Sequence, residues 1–140
     1  MMQIRPYEVG DEAAVVGLWE ECGLTRAWND PHKDIARKLT VQPELFLVGT
    51  LDAAVIASVM AGYEGHRGWV NYLAVAPGFR GRGFARSLMR RVEQALLARG
   101  CPKVSLLVRS SNAEALAFYR HLGYLPDESI SLGKRLIADA

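Results

Sequence analysis

The sequence predicts a mixed α/β fold, with a central, mostly antiparallel sheet and helices on both faces. Apolar, β-branched runs come first and follow one another directly, as in "LFLVGTL" and "AVIASVMAGY". Later runs alternate with helical patterns: "WVNYLAV", then an amphipathic stretch from Phe84, then "KVSLLV". Hairpin-linked strands pair antiparallel and strand–helix–strand units pair parallel, so both together make a mixed sheet covered on two sides. The 140 residues, 50% of them hydrophobic, suit one domain over 1–140. A chain of that size buries roughly two-thirds of the surface its unfolded form exposes, and needs no metal or disulfide to fold.

Each element has a local reason. Gln3 to Arg5 forms a short opening strand. Asp11 is placed to cap a helix whose apolar face carries Val15, Val16, Leu18, Trp19 and Cys22. The polar loop "LTRAWNDP" leads to a second helix from about His32 to Leu39, with Pro31 suited to its first turn. The two apolar runs meet at Leu51-Asp52-Ala53-Ala54, a hairpin turn. Phe84, Leu88, Val92, Ala95 and Leu96 recur at three- and four-residue spacing, giving a long helix stopped by Gly100 and Pro102. Ser111-Asn112-Ala113-Glu114 reads as a capping box opening a helix through Leu122, with Gly123 at its end. "SISLGKRL" is expected to close the sheet.

Composition excludes several partners. The net charge of +2 is too small to point to nucleic acid or a membrane surface. "MMQIRPYEVG" lacks an apolar signal core, and the longest small and apolar run, Ala53 to Gly62, is about half a membrane span. A cytoplasmic protein is expected. Cys22 and Cys101 form no CxxC or Cys/His cluster, so free thiols and no metal site are expected.

The charge is nevertheless local. No acidic residue lies between Glu64 and Glu93, while Arg67, Arg80, Arg82, Arg86, Arg90 and Arg91 all do. Positive potential centres on the turn "GFRGRGFA", at a strand-to-helix junction. The first amides of a helix lack partners and carry partial positive charge, and glycines let an anion approach them. Phosphate is the natural ligand. Arg82, Arg86 and Arg90 are offset by two residues from Phe84, Leu88 and Val92, about 200° around the helix, so a basic face opposes a core face. A dinucleotide fingerprint fails because Arg86 stands at its third small position and Lys103 where an acidic residue belongs. A Walker loop fails for want of Gly-Lys-Ser/Thr. A plain tight turn with solubilising arginines is the alternative that the turn alone leaves open.

The segment "LAVAPGFRGRGFA" resembles the acyl-CoA signature of the GNAT N-acetyltransferases: a hydrophobic strand, a proline, then Arg/Gln-x-x-Gly-x-Gly/Ala. Arg80, Gly81, Arg82, Gly83, Phe84 and Ala85 occupy those positions. The later "SSNAEALAFYRHLGY" matches the family in order and spacing, and the likeness covers nearly the whole chain. "WNDP", "GHRG" and "SLGKRL" are similar to words of a small bacterial member.

The resemblance implies a fold and a site. The fourth strand, Val70–Val75, would splay from the fifth, Val104–Val108. Unpaired amides at Leu73 and Val75 would hold the pantetheine arm and thioester carbonyl, although plain strand core also explains those two residues. Amides of Gly81 to Arg86 would take the pyrophosphate, and Asn112 would contact the CoA arm. Acetyl transfer to an amine needs a neutral amine, a stabilised oxyanion and a proton for the leaving thiolate. Tyr119 is the expected acid: Asn112 and Tyr119 share a helix face about 10 Å apart along the axis. A core tyrosine on this apolar helix is the competing reading.

The general base is undetermined. Members resembling ribosomal-protein N-terminal acetyltransferases carry a glutamate on the fifth strand, where this chain has Leu107. Glu64 and His66 are the nearest substitutes, and both also suit a surface turn. By analogy the acceptor lies against the loop between the first two helices, at Trp28, Asn29 and Asp30, with Asp30 or Asp34 attracting a cationic amine. The expected partners are acetyl-CoA, as donor, and an amine acceptor, with the chain a monomer or homodimer. A CoA-binding module without catalysis and an RNA-binding domain using the arginine face are the rival functions. The second lacks interleaved exposed aromatics for base stacking.

Overall fold

The computed structural model describes residues 1–139, so Ala140, the end of the expected domain, lies outside the described residues. Five strands form one sheet in the order β1-β2-β3-β4-β5. In chain order the elements are β1 (Gln3–Pro6), α1 (Glu12–Glu21), α2 (Pro31–Lys38), β2 (Phe46–Leu51), β3 (Ala54–Tyr63), β4 (Gly68–Val75), α3 (Phe84–Ala98), β5 (Val104–Leu106) and α4 (Ala113–His121). The first four strands pair antiparallel and β5 joins β4 in parallel, as a strand–helix–strand unit requires.

The helices divide the core in two. Val15, Val16, Leu18 and Trp19 of α1 and Ile35 of α2 pack on Phe46, Val48 and Met60 on one face of the sheet. Leu88, Met89, Val92 and Leu96 of α3 pack on the other face against Leu47, Val59, Ala61 and Val70. Those four α3 side chains are at most 1% exposed, so burial of each contributes about 1.5–3 kcal/mol. Arg82, Arg86 and Arg90 are exposed on the opposite face, as the helical phase requires.

Three local expectations are corrected. Asp11 stands at the N-cap of α1 but makes no cap bond; Arg5 captures its carboxylate at 2.7 Å, and the Glu8 amide donates to it at 2.8 Å. The α4 cap is Asn112, whose side chain accepts from the Ala115 amide, one residue later than a box beginning at Ser111. Finally, "SISLGKRL" forms no strand among the described residues: Ser129–Leu132 border a groove beside β5 instead of pairing with it. Gly133 and the Lys134-Arg135 pair end its alternation, and Arg135 is drawn to Asn29 and Asp139.

Candidate active site

The site begins where β4 leaves β5. Pairing runs Gly68↔Val104, Trp69↔Ser105 and Val70↔Leu106, then stops, while β4 continues to Val75. The expected splay is present, and begins after Val70. On the β3 side the register shifts between Ser58 and Met60, whose partners are Ala74 and Asn71. β4 therefore carries one extra residue, a bulge, and a bulge bends its strand. Tyr72 lies within it at φ 53°, a left-handed conformation costing a non-glycine residue about 1–3 kcal/mol.

Side chains fix this conformation. The buried Ser58 hydroxyl donates to the Tyr72 carbonyl at 2.8 Å and accepts from Trp19 Nε1 at 2.9 Å. Trp19 and Ser58 are fully buried, and the Tyr72 ring stacks on Trp19 at 3.7 Å. Beyond the bulge, the Ala76 amide donates to Ile56 on β3. By strand alternation, the polar groups of Val75 then face away from β3, toward the splay.

The turn after β4 completes a cleft of about 870 Å³, a size typical of small-molecule sites. Leu73, Val75, Arg80, Gly81, Gly83, Phe84, Ala85, Arg86, Asn112 and Tyr119 all line it; Arg82 does not. Gly81 and Gly83 have φ of 80° and 79°, so the turn requires glycine, and a Cβ on either would meet nothing within 4 Å. The Gly83 carbonyl accepts the Ser87 amide. Amides of Phe84 to Arg86 precede that first helical bond and are the helix's unpartnered donors.

The arginines differ in what they do. Arg80 braces the turn, Nε donating to the Val75 carbonyl at 3.1 Å and Nη2 reaching Cys22 Sγ at 3.4 Å. The Arg82 guanidinium lies over the Phe79 ring at 5.3 Å. Tyr119, against the edges of Phe118 and Tyr124, has its hydroxyl pushed up to about 12 by burial. It therefore stays protonated at neutral pH. The Asn112 oxygen is occupied as the α4 cap, and its amide nitrogen makes no hydrogen bond among the described residues.

On the opposite face a second polar cluster forms. The Tyr72 hydroxyl donates to Asp34 Oδ2 at 2.6 Å and accepts from Asn29 Nδ2 at 3.1 Å, while the same Asn29 nitrogen bonds Asp34. Burial, then the Asp34 carboxylate, holds the Tyr72 hydroxyl well above the usual phenol range. Trp28 is 58% exposed beside this cluster in the chain. Asp30 is committed as the α2 cap, accepting from the His32 amide at 2.9 Å.

Glu64 and His66 are not brought to the cleft. They occupy the β3–β4 turn, at the other end of β4 from Val75. There the Glu64 carboxylate accepts the amides of His66 and Arg67 and the Trp69 indole, and these bonds, led by the Arg67 amide, lower its pKa. Leu107, just past β5, is 69% exposed. Sequence reasoning missed Tyr72, Ser58 and Trp19 as site builders. The one local signal was Ser58, a lone hydroxyl in an otherwise apolar run.

The cleft lies where a strand splays at a bulge beside a helix start with free amides, and comparisons with known proteins identify the family that shares this fold. The sequence profile described as the Acetyltransferase (GNAT) family matches residues 13–124. An acetyltransferase of Yersinia enterocolitica is 51% identical over 138 residues, covering 99% of this chain and 98% of the relative. One from Pectobacterium atrosepticum is also 51% identical, with the same coverage. Among solved structures, AAC(6')-Iy in complex with the bisubstrate analogue CoA-S-monomethyl-acetylneamine superposes with TM-score 0.79 at 19% identity, covering 98% of this chain and 99% of that one. The ribosomal-protein-S18-alanine N-acetyltransferase of Escherichia coli gives TM-score 0.73 at 26% identity, covering 88% of this chain and 77% of that one. The chain belongs to the GNAT acetyltransferase family and is an N-acetyltransferase.

Proposed function

We propose that this enzyme transfers the acetyl group of acetyl-CoA directly to a primary amine. One coincidence carries the reading: the unpaired end of β4, the glycine turn at the start of α3 and Tyr119 all border one cleft. The residues fit the donor. Phe84 to Arg86 offer amides and positive potential to a pyrophosphate, and Arg86 makes no ion pair or side-chain hydrogen bond among the described residues. The amides of Leu73 or Val75 stabilise the oxyanion of the tetrahedral state.

The step balances simply. The amine nitrogen bonds the acetyl carbonyl carbon, the carbon–sulfur bond breaks, and the sulfur leaves with its electron pair. Tyr119 gives that thiolate a proton and regains one from solvent, which takes up the proton released by the attacking nitrogen. The amine is proposed to approach the opposite face of the bulge, where Asp34, Asn29 and Tyr72 meet beside Trp28. The carboxylate there favours a cationic acceptor before it loses its proton.

The test is CoA release across peptides, polyamines, amino acids and aminoglycosides, together with thermal melts. Melting raised by acetyl-CoA plus release with at least one amine supports the reading. Stabilisation without release for any amine would instead favour a binding module without catalysis.

A further inference from the structure

One enclosed carboxylate takes no part in lining the cleft. The Asp139 side chain is 1% exposed. Its Oδ2 accepts the Asp30 amide at 2.8 Å, and its Oδ1 accepts Arg37 Nη2 at 2.7 Å and lies 3.7 Å from Arg135 Nη1. The Asp139 backbone carbonyl accepts Lys33 Nζ at 2.9 Å. A carboxylate this enclosed persists only with such donors around it. These bonds tie the segment around Asp139 to α2 and the loop before it.

What it is tied to matters. From Leu125 to Asp139 the chain has no helix or strand, and Leu132 and Leu136 are 92% and 86% exposed. Apolar burial therefore does little to hold the segment. Apart from Lys103–Asp127 and a local Arg135–Ile137 bond, its side-chain hydrogen bonds converge on residues 29–37. Arg135 Nη2 donates to the Asn29 oxygen at 2.9 Å, while the Asn29 nitrogen faces Tyr72 and Asp34. Both ends of one amide are thus claimed, the oxygen by the tail and the nitrogen by the polar cluster. That fixes which way the amide faces.

We infer that Arg135–Asp139 is a latch that positions the acceptor loop: Asp139 pins the start of α2 and Arg135 orients Asn29, holding Asp34 and Tyr72 for an incoming cationic amine. Its functional half rests on the acceptor side proposed above. Its structural half does not. A pre-organised loop binds its ligand without first paying to order it.

The experiment uses the full chain, with Asp139→Ala and the milder Asp139→Asn, which retains an oxygen for the Asp30 amide. Hydrogen exchange is followed at residues 24–30, thermal shift with acetyl-CoA, and acetyl transfer to spermidine as the probe polycation. In Asp139→Ala, loop amides should exchange about tenfold faster or more, with Asp139→Asn between it and the wild type. The acetyl-CoA shift should be unchanged. The Michaelis constant for spermidine should rise about tenfold while turnover stays within about twofold, the signature of lost binding rather than lost chemistry. Unchanged loop exchange in Asp139→Ala overturns the latch, as does loss of the acetyl-CoA shift, which would mean general damage. An unaltered Michaelis constant despite a loosened loop overturns the positioning role. If the wild type leaves spermidine untouched, the cationic-acceptor reading falls, and the exchange measurement alone decides the latch.

Discussion

The two faces of the β4 bulge are built in opposite ways. On the proposed donor face, the lining residues lie close together in the chain: Leu73 to Arg86 supply strand end, turn and helix start, and α4 adds Asn112 and Tyr119. Backbone does most of the work there, through amides freed by the splay and by two left-handed glycines. On the proposed acceptor face, side-chain bonds bridge long separations: Trp19 to Ser58, Asn29 to Tyr72, Asp30 to Asp139. A site made of backbone tolerates side-chain exchange except at its glycines and at Tyr119, its proposed acid. A site made of a relay fails wherever one link is cut.

The largest expected effect tests the exception on the donor face. Tyr119→Phe keeps the ring that packs on Phe118 and Tyr124 and removes only the hydroxyl. Turnover should fall about 10² to 10⁴-fold, the usual contribution of a positioned acid. Melting temperature and acetyl-CoA affinity should hold. The loss should shrink with a thioester whose thiol is more acidic, because that thiolate departs unaided. A stable variant with near wild-type turnover would make Tyr119 a packing residue.

The glycine turn comes next. Acetyl-CoA at about a hundred times its dissociation constant should stabilise the wild type by about 2.7 kcal/mol. Gly83→Val should abolish that shift, since a β-branched side chain at φ 79° strains a turn that lines the cleft. The milder Gly83→Ala should lose part of it, with a backbone cost of about 1–2 kcal/mol. Equal ligand shifts in all three proteins would contradict backbone recognition of the phosphates.

The difference between the faces also explains what the sequence revealed. Proline, glycine and arginine in "APGFRGRGFA" act on their own backbone, so their spacing carries the structure with it. Of the ten cofactor-side residues expected, only Arg82 does not line the cleft; its guanidinium lies over the Phe79 ring. On the other face, Asn29 and Asp30 look like an ordinary helix start, and nothing near them announces Tyr72 or Asp139. Glu64 misled for the same reason: its spacing cannot reveal that the adjacent turn amides occupy its carboxylate. The closing strand failed because Arg135 and Asp139 have partners on α2 and its loop that no local pattern displays.

Cutting the relay at its most buried link gives the third prediction. Ser58→Ala leaves the Trp19 indole N–H and the Tyr72 carbonyl without their shared partner in a site closed to water. Such losses cost about 1–3 kcal/mol each. Because the bulge relaxes, turnover should fall as well, while the acetyl-CoA shift, resting on the glycine turn, survives. Loss of stability with turnover intact would show that the bulge keeps its shape without Ser58.

The smallest effect is a dependence on pH that separates the faces without changing any donor-side residue. Hydrogen bonds from Arg37, then from the Asp30 amide, hold the Asp139 carboxyl down at about 2, below the ordinary carboxylate value near 3.8. A group depressed on folding adds stability that is fully present above its unfolded pKa and is lost as pH falls through its folded one. From pH 8 to 5 the difference in melting temperature between wild type and Asp139→Ala should therefore be constant. It should shrink below about pH 4, as pH falls from the unfolded carboxylate value toward the folded one, and level off only below about pH 2, where the Asp139 carboxyl too is protonated. Asp11, held down chiefly by its hydrogen bond with Arg5, loses stability in the same acid range, but equally in both proteins, so it cancels in the difference. The difference between Gly83→Ala and wild type should not follow that curve, because a left-handed backbone has nothing to titrate. A difference for Asp139→Ala that stays constant down to pH 2 would mean that the latch holds by shape and not by charge.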